Sequence, residues 1–119
     1  FGDDRVCLIS DAMMACGMPD GDYELGGQKV KVTDGLATLA SGTIAGSATP
    51  LTESFRRAVV KFGIPVESAL RAATANPARV LSMQDEIGSI AVGKRADLTL
   101  FDAETLEVRH CVLGGKLLF

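Results

Sequence analysis

Asp11 is the first residue of this chain whose type and setting invite chemistry. It follows a short apolar run, Val6-Cys7-Leu8-Ile9, and Ser10. A run that is apolar at every position predicts a strand buried on both faces, as in a parallel sheet or barrel. In parallel α/β architectures the C-terminal end of such a strand carries the reacting groups. A carboxylate there can shuttle a proton when burial and neighbours tune it. The plainer alternative is an aspartate that caps the helical turn after it.

A second stretch, Gly42-Thr43-Ile44-Ala45-Gly46-Ser47, stands just before a helical pattern. Its glycines let a ligand approach the backbone closely, and N–H groups leading into a helix favour anions. Taken alone, an ordinary capped turn is the simpler reading. It is not a P-loop, because the Lys-Ser/Thr ending is missing. A third stretch, Gly88 to Leu98, contains Gly93-Lys94-Arg95-Ala96-Asp97. It reads as two turns around a strand, with Asp97 fixing a local turn through backbone N–H groups.

The remaining polar residues point less clearly to a site. His110 is the single histidine and has no carboxylate cluster near it, which limits the metal chemistry of this chain alone. Arg56-Arg57 could meet a phosphate, but a solvated helix face is the simpler reading. Cys7, Cys16 and Cys111 are odd in number and far apart, with no CxxC. They read as small apolar core residues and reduced thiols, not as a disulfide framework.

These groups need elements to hold them. Residues 12–18 predict a helical turn or irregular loop, and residues 19–22 a turn. Residues 23–40 predict a hairpin, with Gly26-Gly27 and Asp34-Gly35 as tight-turn signals. Thr49 and Pro50 predict a helix start. Leu51, Phe55, Ala58, Val59 and Phe62 then form one apolar stripe, and Gly63 ends it. A second helix follows Pro65, with Val66, Leu70 and Ala73 inward. Asn76-Pro77 predicts the cap of a third helix over 78–83. Strands are expected within 88–93, at 98–101 and from 108, where Val108, His110 and Val112 alternate with their neighbours. Gly114-Gly115 marks the last turn.

Composition narrows the function classes. The 119 residues are too few for a complete (β/α)₈ barrel. Lys plus Arg is 12 and Asp plus Glu is 15, a formal charge of −3, which speaks against a nucleic-acid face. No apolar run approaches the ~18 residues of a membrane span. The chain starts at Phe1 without Met or a signal pattern, so part of a longer gene product is expected. The element order fits the C-terminal part of a (β/α)₈ TIM-type barrel over 1–83, followed by part of a small β-sandwich over 84–119.

In this order the segments resemble the C-terminal third of the N-acetylglucosamine-6-phosphate deacetylases, within the amidohydrolase superfamily. Ala73-Thr74-Ala75-Asn76-Pro77-Ala78 through Gly93-Lys94-Arg95-Ala96-Asp97-Leu98 is similar to the tail of many amidohydrolases. Ile9-Ser10-Asp11-Ala12, Tyr23-Glu24-Leu25-Gly26-Gly27, Asp34-Gly35 and Gly42 to Ser47 are similar to the deacetylases in particular.

The resemblance implies hydrolysis of the acetamide of N-acetylglucosamine 6-phosphate to glucosamine 6-phosphate and acetate. It implies that Asp11 takes a proton from metal-bound water and later protonates the amine leaving group. Ile44, Ala45 and Gly46 would line the sugar with their backbone. Some members carry Thr after the matching Asp-Ala; Met13 stands here. The family's divalent metal, zinc or iron, is held by upstream Glu and His residues, so no metal ligand is expected in this chain, and the isolated piece is expected to be inactive. The expected setting is cytoplasmic. A small-molecule sugar phosphate is the expected partner, with no nucleic acid or membrane. The sandwich uses both chain ends in the family, so exposed strand edges and a homodimer or other self-association are expected. A related enzyme for another N-acetylhexosamine phosphate, or a non-catalytic scaffold or dimerisation piece, are the alternatives.

Overall fold

Three two-residue turns with positive φ at both positions set the strand pairing. They are Gly26-Gly27 (φ 57 and 80), Asp34-Gly35 (52 and 71) and Gly114-Gly115 (55 and 80). Their twist matches that of paired strands, and Gly and Asp tolerate it. The structure, a computed structural model, describes residues 1–119. It is a small α/β assembly with two antiparallel sheets, three α-helices and one 3₁₀ turn at Asp3–Arg5. The chain forms two compact units, one of Ile9–Ser54, the other of Phe1–Leu8 with Phe55–Phe119.

In the first unit, β1 (Gly21–Leu25), β2 (Gln28–Thr33), β3 (Leu36–Leu39) and β4 (Ile44–Ser47) make a meander in that order. The expected hairpin is therefore present and extends into a fourth strand. Val30 and Val32 alternate inward along β2 and meet Ala37, Met13 and Ala15 in one core. The turn expected at residues 19–22 is instead the entry to β1, because Gly21 already pairs with Val32. Asp20 turns its carboxylate to the next turn and accepts the N–H groups of Asp34 and Gly35, the latter at 3.2 Å.

In the second unit Val6 is extended, yet residues 6–9 form no ladder. Leu8 N–H donates to the carbonyl of Ala72 at 2.8 Å, a helical residue, where a strand would need a strand neighbour. Helix α1 (Leu51–Val60), whose first turn belongs to the first unit, begins one residue later than expected, with Pro50 carbonyl accepting from Glu53 and Ser54. Gly63 (φ 67) ends it as predicted, its N–H on Val59 carbonyl. Helix α2 (Val66–Ala73) follows Pro65, but its buried face is Ala69 and Ala72; Leu70 remains exposed.

Helix α3 (Ala75–Val80) starts before Asn76, so Asn76 is no cap. It is buried and donates to Asp3 and Val6 carbonyls at 2.6 and 2.7 Å. Pro77 still sits in the first turn, where its missing N–H costs nothing. Residues 88–93 form no strand, and Ile90 and Val92 are fully open to solvent. Gly88 packs on α3 instead: a Cβ there would lie 2.6 Å from the Ala78 methyl.

The second sheet has the order β5 (Leu98–Phe101), β6 (Val108–Leu113), β7 (Lys116–Leu117). The expected alternation fails along β6, where His110 is exposed while Cys111 and Val112 are half-buried. A bulge opposite Leu100 and Phe101 leaves Arg109 unpaired and resets which face each residue takes. Phe101 meets Phe55 with ring centroids 5.1 Å apart.

Candidate functional site

Asp11 and the Gly42–Ser47 stretch lie side by side in the first unit. Ala12 and Ser47 make an isolated parallel bridge. Ser47 N–H donates to the Asp11 carbonyl at 2.9 Å, and Met13 N–H donates to the Ser47 carbonyl at 2.9 Å. The two bonds grip the backbone on either side of Ala12. Asp11 itself is exposed and sits at φ 51, a left-handed conformation that Asp tolerates better than most residues.

Strand β4 approaches this turn through a bulge. Leu36 pairs with Ser47, Ala37 with Gly46, and Thr38 with Ile44, so Ala45 is the extra residue. Such a bulge bends the strand and leaves one peptide unit outside the ladder. Gly46 adopts φ 156, outside the range that L side chains favour. Its missing Cβ would face Asp11 carbonyl oxygen at 3.5 Å and Met13 Cβ at 3.6 Å. The three backbone residues Ile44, Ala45 and Gly46 thus stand next to the Asp11 turn. Ile44 projects an exposed side chain, while Ala45 and Gly46 are half-buried.

After β4 the chain is braced locally. Thr49 N–H donates to Ser47 Oγ at 2.9 Å, and Ser47 Oγ–H reaches the Thr49 carbonyl at 3.4 Å. Sequence reasoning missed the bulge at Ala45 and the pairing partner Ser47. The signal for the bulge was present, since a glycine inside a strand often marks one. It also gave no role to Met13, which proves buried at 7% exposure.

Asp97 and Lys94 serve structure within the other unit. Asp97 Oδ1 accepts the Gly114 N–H at 2.7 Å, and its other oxygen pairs with Arg95 at 2.7 Å. It does fix a turn, but one seventeen residues away in sequence. Lys94 Nζ bonds to the Gln84 carbonyl and Ser89 Oγ. His110 Nδ1 lies 3.1 Å from the Phe119 carbonyl oxygen. Arg57 is exposed and Arg56 half-buried on α1. The three cysteines are half-buried free thiols.

The Asp102 carboxyl is held well below the usual carboxylate range. The Thr105 backbone N–H is the main cause, followed by the Arg109 guanidinium and the Glu104 N–H. This is a turn clasp between β5 and β6, with Arg109 at 2.9 Å.

No three His, Cys, Asp or Glu side chains converge to hold a metal ion. The residues present therefore do not fit a metal site on their own. No helix is long and apolar enough to cross a membrane.

Residues 22–118 match the model of the amidohydrolase family. An N-acetylgalactosamine-6-phosphate deacetylase of Escherichia coli O157:H7 is 38% identical over 114 residues, 96% of this chain and 30% of that protein. The crystal structure of an N-acetylglucosamine-6-phosphate deacetylase from Pasteurella multocida superposes with a TM-score of 0.89 at 33% identity, covering 96% of this chain and 30% of that one. An Asp-to-Ala mutant of the Mycobacterium smegmatis N-acetyl-D-glucosamine-6-phosphate deacetylase, in complex with N-acetyl-D-glucosamine-6-phosphate, gives 0.87 at 40% identity, covering 98% and 31%. The chain thus spans about a third of the length of these proteins.

Proposed function

The chain belongs to the amidohydrolase family, and we propose that it is the part of a sugar-phosphate N-deacetylase that carries the proton-transfer carboxylate. The reaction is hydrolysis of the acetamide of N-acetylglucosamine 6-phosphate, giving glucosamine 6-phosphate and acetate. The observation that carries this reading is the pairing of the Asp11 turn with the bulged strand through Ser47. It sets the turn that carries the exposed Asp11 beside the bulged backbone of Ile44, Ala45 and Gly46.

In this reading Asp11 has two tasks. It accepts a proton from the water that adds to the amide carbonyl. It returns that proton to the amine nitrogen as the C–N bond breaks. One group can serve as base and then acid, because the first step leaves it protonated for the second. The peptide groups of Ile44, Ala45 and Gly46 line the sugar, and the missing side chain of Gly46 permits close approach.

The family is generally metal-dependent, and we assign a divalent metal, zinc or iron, to residues outside this chain. No step above is routed through it. The 119-residue chain on its own is therefore expected to be inactive. We further assign residues 1–83 to the end of a (β/α)₈ barrel and 84–119 to part of a composite β-sandwich. Both outer strands of the second sheet, β5 and β7, have no further strand partner in this chain. That supports self-association, as a homodimer, through open edges. The free thiols support a cytoplasmic setting.

A second substrate has its own support. The relative named for N-acetylgalactosamine 6-phosphate is 38% identical, within the 33% and 40% of the two named for the glucosamine epimer. Both epimers belong in the test. The full-length protein is assayed on each, as wild type and as Asp11→Asn. The variant is expected to bind sugar phosphate normally and to lose about 10²–10⁴ in turnover. Near-normal turnover of the variant would remove Asp11 from the mechanism. A wild type that cleaves neither amide would remove the activity.

A further inference from the structure

Asp11 is exposed, yet its backbone is held at φ 51, in the left-handed region. A non-glycine residue at positive φ persists only where its surroundings over-determine it. The Met13 anchor supplies that constraint two residues later. Its N–H donates to the Ser47 carbonyl at 2.9 Å, completing the two-bond grip whose other half ends on Asp11. Its side chain is buried in the core with Ala15, Val30, Val32 and Ala37. Ala45 and Ala48, from the strand side, pack against that same core. The Cβ and Cγ of Met13 also stand where Gly46 has no side chain, 3.6 and 3.8 Å from the position a Cβ would take.

We propose that Met13 is a positioning residue for Asp11. Its buried side chain ties the turn that presents the carboxylate to the core beneath β2 to β4. It touches no substrate and moves no proton. Its effect is geometric, through the backbone of residues 11–13. The proposal rests on Asp11 as the proton carrier.

The physical expectation follows from packing. Truncating Met13 leaves space in the core, and the turn it anchors gains freedom. A misplacement of about 1 Å at a reacting group can cost up to ~10²-fold in rate. Sugar binding by the backbone of 44–46 would change far less, because Ile44 and Gly46, on either side of the bulge, keep their pairing with β3.

The test uses the full-length protein with N-acetylglucosamine 6-phosphate and the N-acetylgalactosamine epimer, well below each variant's melting temperature. Met13→Ala is expected to lower kcat about tenfold with KM within about twofold. Met13→Leu, which keeps the volume, is expected to recover most of that loss. In an Asp11→Asn background Met13→Ala should cost nothing further, since it acts only through the group already removed. If Met13→Ala does not fold, Met13→Val serves in its place in all three comparisons. An unchanged kcat in a folded variant of lowered melting temperature overturns the proposal and leaves a purely structural methionine. So does an equal loss from Met13→Ala in the Asp11→Asn background. A wild type inactive on both sugars instead overturns the functional reading beneath it.

Discussion

The carbonyl of Asp11 accepts the backbone N–H of Ser47 at 2.9 Å, so the candidate carboxylate and the bulged strand are one mechanical piece. Strain on either side of that bond should reach the other. Gly46 is the place to apply it. At φ 156 an alanine is opposed by its own backbone, although the Asp11 carbonyl would sit at an ordinary 3.5 Å from the new carbon.

Gly46→Ala is therefore expected to destabilise the protein by about 1 kcal/mol or more. It should also lower turnover by roughly 10- to 100-fold, since small displacements at a reacting group are costly. Thermal denaturation and steady-state kinetics of the full-length variant check the two effects. A variant as stable and as active as wild type would show that the Gly46 backbone does not constrain the Asp11 turn.

The residues that resemble the family tail act in packing. Gly88 is held at φ 86 with the Ala78 methyl 2.6 Å from the place of a Cβ, and Thr74 carbonyl oxygen at 3.1 Å. Gly88→Ala combines a clash with a disfavoured φ, and should cost about 1–3 kcal/mol. A melting temperature unchanged from wild type would mean that α3 yields without penalty. Turnover at low temperature should stay near wild type, because Gly88 has no part in the Asp11 arrangement.

Local rules were legible in the sequence, and pairings between distant segments were not. Asp34-Gly35 and Gly114-Gly115 behave as two-residue turn signals predict, because their φ preference is local. Gly63 ends α1 for the same reason. Residues 6–9 look like a strand by composition, but a strand needs a strand neighbour, and Leu8 bonds to helical Ala72 instead. Asn76 carries the signature of a cap, yet its partners are Asp3 and Val6, seventy or more residues earlier. At the candidate site Asp11 and Gly46 were visible singly. Their meeting through Ser47, and the burial of Met13 below, follow from a parallel bridge that no local pattern encodes.

The Asn76 amide gives its own prediction. It is buried and holds the two carbonyls of the first segment with bonds of 2.6 and 2.7 Å. Asn76→Ala removes both, and should cost about 1–2 kcal/mol, the lower part of the range for lost partners because Asp3 and Val6 are themselves exposed. Hydrogen exchange should show lost protection at Leu8, whose N–H depends on that segment reaching Ala72. Unchanged protection there would mean that the Ser68 and Arg71 contacts to Asp3 suffice.

Asp102 predicts how stability should respond to acid. Its carboxyl is held below the usual range by the Thr105 N–H first, then the Arg109 guanidinium and the Glu104 N–H. In the unfolded chain it titrates near 3.9. A depressed folded value means that the folded state favours the ionised form, so the contribution is fully present above about pH 4 to 5 and declines as pH falls below it. Asp102→Asn removes the charge and the titration together. The stability gap between wild type and Asp102→Asn should therefore be constant from about pH 8 to 5 and should narrow toward pH 2.5. Denaturant unfolding of both proteins across that range measures the gap. A gap that stays level down to pH 2.5 would assign the clasp to geometry and packing, with no stabilisation linked to the Asp102 charge.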